Sequence, residues 1–221
     1  MHTFIPRLCA LRSYRPNGWP MVLSVCLLAV SSLTAPAQHR ELGFHVGGVT
    51  ASDRGIDQAS GGSIRTEGGL SYEVNYAQRI VDAKLASLHW ELNLAGAPSR
   101  DLTSSNVLAP RSYSSLFITP GLKLKLLPAV GFSPYGVLGV GYARYGTSSS
   151  QINGQPNAGE GSTSRAALEY GGGLDVRVLP YIGVRGEVRD FVTGNPGLNL
   201  PLRGSRQHNV LASVGLVLRL P

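Results

Sequence analysis

The stretch Ser164 to Val192, SRAALEYGGGLDVRVLPYIGVRGEVRDFV in one-letter code, decides how this chain is read. In its first arm Ala166, Leu168, Tyr170, Leu174, Val176 and Val178 share one parity, while Arg165, Glu169, Asp175 and Arg177 share the other. After Pro180 the second arm sets Ile182, Val184, Val188 and Val192 against Tyr181, Arg185, Glu187 and Arg189. A period of two marks a strand, whose successive side chains point to opposite faces. The stretch therefore reads as a hairpin whose arms are both longer than an ordinary strand.

The chemistry of the two faces says where the hairpin lies. A soluble antiparallel sheet buries its apolar face and spreads mixed polar residues over the wet one. Here the polar face is a ladder of acids and bases, and the apolar face carries one charge, Asp190, near the strand's end. That arrangement is expected when the apolar face meets lipid and the charged face lines a closed barrel. In a soluble ligand-binding barrel of lipocalin type the polarity would be reversed, with an apolar interior.

Working outward, the same parity test finds eight strands, near residues 41–50, 69–80, 85–96, 112–127, 132–146, the two arms above, and 208–220. Leu70, Tyr72, Val74 and Tyr76 oppose Glu73, Asn75 and Arg79 in the second strand, and Leu88, Trp90, Leu92 and Leu94 oppose His89, Glu91 and Asn93 in the third. Pro120 interrupts the fourth strand, and a local bulge is expected there because proline cannot donate to the ladder. The glycine-rich fifth strand fits either register. Short connections (81–84, 128–131, around Pro180) alternate with long ones rich in Gly, Ser, Asn and Pro, each about fifteen residues or more. An even strand count with both termini on the short-turn side places the short turns in the periplasm and the long loops outside the cell. Tyr72, Tyr142, Tyr145, Tyr170 and Phe191 fall near external strand ends, and Phe132, Tyr135 and Tyr181 near periplasmic ones, as interfacial aromatic girdles would.

The first 37 residues stand apart. Arg7, Arg12 and Arg15 precede an apolar run from Met21 to Val30 and then Ala35-Pro36-Ala37, the pattern of a secretory signal peptide cleaved before Gln38. Two domains of the precursor follow: residues 1–37 as the leader and 38–221 as the barrel. Cys9 and Cys26 both lie in the leader, so disulfides and thiolate metal sites are excluded from the mature chain. Losing the three arginines lowers the formal charge from +7 to +4 (17 bases, 13 acids), which argues against nucleic acid as a partner. With 28 glycines and no long apolar run after the leader, helical membrane spans are excluded there as well.

Residues 38–221, and in particular Pro134-Tyr135-Gly136-Val137-Leu138-Gly139-Val140-Gly141-Tyr142-Ala143-Arg144-Tyr145, resemble the small eight-stranded outer-membrane barrels similar to the OmpA membrane domain and OmpX. The resemblance implies an all-β, antiparallel, up-and-down transmembrane barrel in the bacterial outer membrane. It also implies insertion by the outer-membrane assembly machinery, although this chain ends Leu218-Arg219-Leu220-Pro221 where family members usually end on an aromatic residue.

No motif demands a cofactor. The glycines at 136–141 and 171–173 lack the Lys-Ser/Thr and helix of a phosphate cradle. His39, His45, His89 and His208 have no metal-ligand spacing, and hydrogen bonds from His45 and His89 to Glu41 and Glu91 on their own strands are expected instead. The family includes barrels that modify lipid A with a histidine and a serine at the external rim; the one comparable pairing is His208 with Ser205 or Ser213.

Inward parity assembles a lumen network of Glu41, Glu73, Glu91, Glu169, Asp175 and Glu187 with Arg79, Lys123, Lys125, Arg177, Arg185, Arg189 and Arg219. Opposed charges of nearly equal number predict an interlocked, filled interior instead of a general porin, with a small-solute or ion channel as the alternative. Arg111, Arg144, Arg165, Arg203 and Arg206 gather near external strand ends, where they would meet lipopolysaccharide phosphates or merely solubilise loops. The expected role is thus structural or surface-interacting, in contact with outer-membrane lipid; no particular protein partner is legible.

Overall fold

The computed structural model describes residues 40–57, 63–159, 161–198 and 203–220. The leader 1–37 with its expected cleavage site, His39 and Pro221 lie outside them. All regular structure among the described residues is strand: β1 (Arg40–Ala51), β2 (Arg54–Gly55), β3 (Ser63–Thr66), β4 (Gly69–Asp82), β5 (Ala86–Ser104), β6 (Ser112–Leu126), β7 (Phe132–Thr147), β8 (Ser162–Arg177), β9 (Ile182–Gly194) and β10 (Arg206–Leu220). Eight of them, β1 and β4 to β10, pair antiparallel with their chain neighbours. Pairing of β1 with β10, from Arg40↔Leu220 to Ala51↔Asn209, closes the ring and leaves its main strands no free edge.

Inside and outside are inverted relative to a soluble protein. Val140 is 64% exposed and Leu138 60%, while Arg185 and Lys123 are fully buried. Odd-numbered residues face the lumen on every barrel strand until β5 breaks step. There the register with β6 shifts between Ala97 and Arg100, so Arg100 and Leu102 turn inward. A second shift lies between Arg79 and Val81 at the short-turn end.

Several expectations are corrected. No bulge forms at Pro120: the β6–β7 register is the same before it (Ile118↔Tyr142) and after it (Gly121↔Gly139), because the lost donor removes a ladder bond without adding a residue. The fifth strand of the sequence, β7, takes the register with Val137, Gly139 and Gly141 inward and Leu138, Val140 and Tyr142 outward. The third strand runs eight residues past its expected end to Ser104, where its extension pairs with β3 of the first long loop; the second long loop is correspondingly short. Tyr135, Tyr145 and Phe191 are buried in the lumen and are not girdle residues, whereas Tyr72, Tyr142, Tyr170, Phe132 and Tyr181 are exposed on the outer wall or rims.

The long loops are held in pairs. Arg54 donates to Asn195 Oδ1 (3.2 Å) and to the carbonyl of Arg206 (2.6 Å), and Arg203 N donates to Gly55 O (2.8 Å), joining the first long loop to the fourth. Arg111 N to Ser150 O (3.0 Å) and Ile152 N to Ala109 O (2.9 Å) join the second to the third.

The closing seam depends on a missing side chain. A Cβ on Gly47 would stand 2.0 Å from the carbonyl oxygen of Ala212 on β10. Gly47→Val is expected to lower stability by on the order of 3 kcal/mol, read as an earlier urea unfolding midpoint in lipid vesicles; an unchanged midpoint would show that the seam has room to spare.

Candidate functional site: the filled lumen

Alternation places charged side chains from the barrel strands in one narrow interior, and two arginines organise them. Arg185 grips Asp175 bidentately, Nε to Oδ1 at 2.5 Å and Nη2 to Oδ2 at 2.9 Å, and also donates to Glu41 Oε2 (2.9 Å) and Asn75 Oδ1 (3.0 Å). Arg189 serves four carboxylates: Glu73 (2.9 Å), Glu91 (2.8 Å), Glu187 (2.8 Å) and Glu169. Lys123 bridges the two groups, 3.3 Å from Glu41 and 3.2 Å from Glu91, while Lys125 pairs with Glu41 and with Asp175 (2.6 Å).

Neutral side chains complete the lattice. Tyr135 donates to Glu187 Oε2 (2.5 Å), Thr119 to Glu169, Asn93 to Glu169 Oε1 (3.1 Å) and Ser213 to Glu73 Oε2 (3.2 Å). Every barrel strand contributes at least one member. The aromatic ring of Tyr135 also lies beneath two cations, 4.6 Å from Lys123 Nζ and 5.0 Å from the Arg185 guanidinium carbon.

Toward the long-loop end the filling changes from charged to aromatic. Phe117 stacks on Phe191 (4.4 Å between centroids) and meets Tyr145 edge-on at 6.1 Å. Arg100, brought inward by the β5 shift, lies 4.3 Å from the Tyr113 ring centroid and donates to Ser115 Oγ (3.1 Å) and Asn209 Oδ1 (3.4 Å). Ile56, Ile64, Leu102 and Leu198 join the same buried cluster, so the first and fourth long loops cap the barrel with apolar side chains. Arg100 and this cap had no signature in the sequence: a one-residue offset in β5 created the first, and loop folding the second.

Ten of the thirteen expected network residues come together. Arg79, Arg177 and Arg219 do not: Arg79 pairs with Asp82 (2.7 Å), Arg177 is exposed and donates to the Pro128 carbonyl (3.3 Å), and Arg219 reaches Glu41 only at 3.9 Å. All three stand at the short-turn mouth, where the barrel opens. The near balance of charge therefore gives way to six buried acids against four buried bases in the lattice.

The histidines are also placed differently. His45 Nδ1 lies 2.7 Å from Glu187 Oε1 on β9, over the intervening β10, instead of bonding along its own strand, and His89 shares a hydrogen bond with Ser87 (2.9 Å). His45, Glu73 and Glu187 bring ligating atoms within 4.8 Å of one another, but Arg189 already occupies both carboxylates, so the cation at this point is a guanidinium.

His208 faces outward, whereas Ser213 faces the lumen. The ring nitrogen Nδ1 pairs with Asp190 Oδ2 (2.6 Å), which also accepts from Tyr170 Oη (2.7 Å), and not with Ser205 or Ser213. That triplet gives the single charge on the apolar face two partners on the outer wall, both at Oδ2.

Removing a hub strands its partners in a space where water cannot replace it. Arg189→Ala is expected to cost on the order of 3–5 kcal/mol, Glu187→Ala and Arg185→Ala similar amounts, whereas Arg177→Ala at the mouth should leave the urea midpoint unmoved. Equal midpoints for Arg189→Ala and Arg177→Ala would contradict the lattice.

Comparison with known proteins agrees with this architecture. The sequence model of the outer membrane protein beta-barrel domain matches residues 23–216. Among curated proteins there is no sequence match. Among solved structures the chain is similar to Neisserial surface protein A, at 13% identity and a TM-score of 0.56, covering 82% of this chain and 97% of that one. It is similar also to the outer membrane protein OprG from Pseudomonas aeruginosa, at 12% identity and a TM-score of 0.54, covering 83% and 96%. At these identities the structures speak for the fold alone, and the sequence match speaks for the family: the chain belongs to the outer membrane protein beta-barrel domain family.

Proposed function

We propose that this protein is a sealed outer-membrane anchor that presents an ordered surface outside the cell and acts by contact instead of conduction. The observation that supports it is the double filling of the lumen, by the ion lattice around Arg185 and Arg189 and by the stacked Phe117 and Phe191 above it. A pore requires a continuous wet path, and eight strands leave an interior only wide enough for side chains. The paired loops give the surface a defined shape, with Val107 and Leu108 exposed at its second loop.

The contact we propose is with lipopolysaccharide. Arg206 borders an outer-wall groove of about 670 Å³ whose sides include Leu168 and Val192, and Arg144 borders one of about 630 Å³ with Val74, Leu94 and Leu116. A guanidinium at the edge of an apolar groove suits an amphiphile with a phosphorylated head and acyl chains. The other three candidates are less available. Arg165 donates to the carbonyls of Asn195 and Ser164, Arg203 faces Asp57 at 3.5 Å, and Arg111 sits in the second long loop away from both grooves.

Two measurements test the reading. Planar-bilayer recordings of the folded protein should show no steady current; a large, stable conductance would replace the sealed anchor with the ion-channel alternative. Lipopolysaccharide binding to the barrel in micelles should weaken by roughly twofold to fivefold for each of Arg144→Gln and Arg206→Gln, the range for partly solvated ion pairs. If Arg165→Gln and Arg203→Gln weaken it as much, the grooves are not the contact sites.

A further inference from the structure

The arginines missing from the lattice gather elsewhere. Arg79, Arg177 and Arg219, with Arg40 and Lys125, line one half-enclosed cavity of about 380 Å³ at the short-turn mouth. Its one acidic lining residue is Glu41, which already carries Lys123, Lys125 and Arg185. Arg79 is offset by Asp82. Arg177 and Arg219 are offset least: Arg177 reaches no carboxylate among the described residues, and Arg219 reaches only the shared Glu41, at 3.9 Å, with its Nη1 buried without a hydrogen-bond partner.

The backbone brings these two together. Gly183 pairs across β9–β8 with Arg177, and a Cβ on Gly183 would meet both terminal nitrogens of Arg219 at 3.0 and 3.1 Å. The absent side chain is what lets the Arg219 guanidinium lie over β9 at the position that pairs with Arg177. Cations crowded in a cleft with protein walls repel one another and concentrate a positive potential that attracts anions. Forked guanidinium donors match the oxygens of phosphate, and an excess of more than one positive charge favours a dianion over a single carboxylate.

We propose that this vestibule binds a small phosphate-bearing solute from the periplasmic side, held by Arg177 and Arg219 with Arg79 across the mouth. The site lies at the opposite end from the proposed lipopolysaccharide contacts and does not depend on them.

Isothermal titration of the folded full-length protein in micelles with inorganic phosphate, and separately with pyrophosphate, at fixed ionic strength tests this directly. Saturable binding is expected, about threefold weaker in Arg177→Gln and at least tenfold weaker in the double variant with Arg219→Gln, and unchanged in Arg144→Gln with Arg206→Gln. The heat-modifiable electrophoretic shift reports folding; because Arg177 is exposed, its single variant carries the test if Arg219→Gln impairs assembly. Equal binding by the Arg177 variant and the unaltered protein overturns the proposal. So does a response to chloride or acetate as strong as that to phosphate.

Discussion

The structure depends on one constraint: within hydrocarbon, backbone amides and carbonyls have no partner but one another. A sheet meets this requirement only by closing, and the β1–β10 seam does so along the whole of β1. Closure by eight strands fixes a narrow interior, and the pleat then sends alternate side chains into it. Since the aliphatic half must face lipid, the charged half has nowhere else to go. The lattice around Arg185 and Arg189 follows from this geometry, because groups that could not be solvated had to be arranged to satisfy one another.

That lattice works over long separations in the chain. Arg185 on β9 reaches Glu41 on β1, and Arg189 reaches Glu91 on β5, so contacts across the barrel tie together strands that never pair in the ladder. Buried ion pairs contribute little net stability relative to apolar filling, because desolvation offsets most of the attraction. Their effect here is on register: a strand displaced by one residue would carry every charge to the lipid face. The aromatic cap needs no such matching and is packed where loops can fold over it.

The two ends of the barrel consequently differ in kind. At the long-loop end the lumen is closed by Phe117, Phe191 and apolar residues of two loops. At the short-turn end it opens into a cavity lined by five cations and one carboxylate. The distinction arises from strand chemistry: inward positions near the short turns carry long basic side chains, while those near the loops carry rings.

Strand class, closure and the inward or outward sense of most residues were legible in the sequence because a period of two is local and the two faces differ sharply in polarity. The ten lattice residues could be named for the same reason. Partners could not, because parity says which face a side chain occupies and nothing about its height or its neighbour across the lumen. His45 thus met Glu187 instead of Glu41, and Arg79, Arg177 and Arg219 fell at the mouth. The β7 register was ambiguous in a run of glycines, whose lack of side chains leaves no polarity to read; packing against β6 and β8 decided it. Arg100 entered the lumen only because the ladder shifts between Ala97 and Arg100, and Tyr145 and Phe191 left the expected girdle because their odd parity points them inward. Sequence determined the barrel and its charged lining, which depend on alternation along one strand; tertiary structure alone decided which charges meet, because that depends on the stagger between strands.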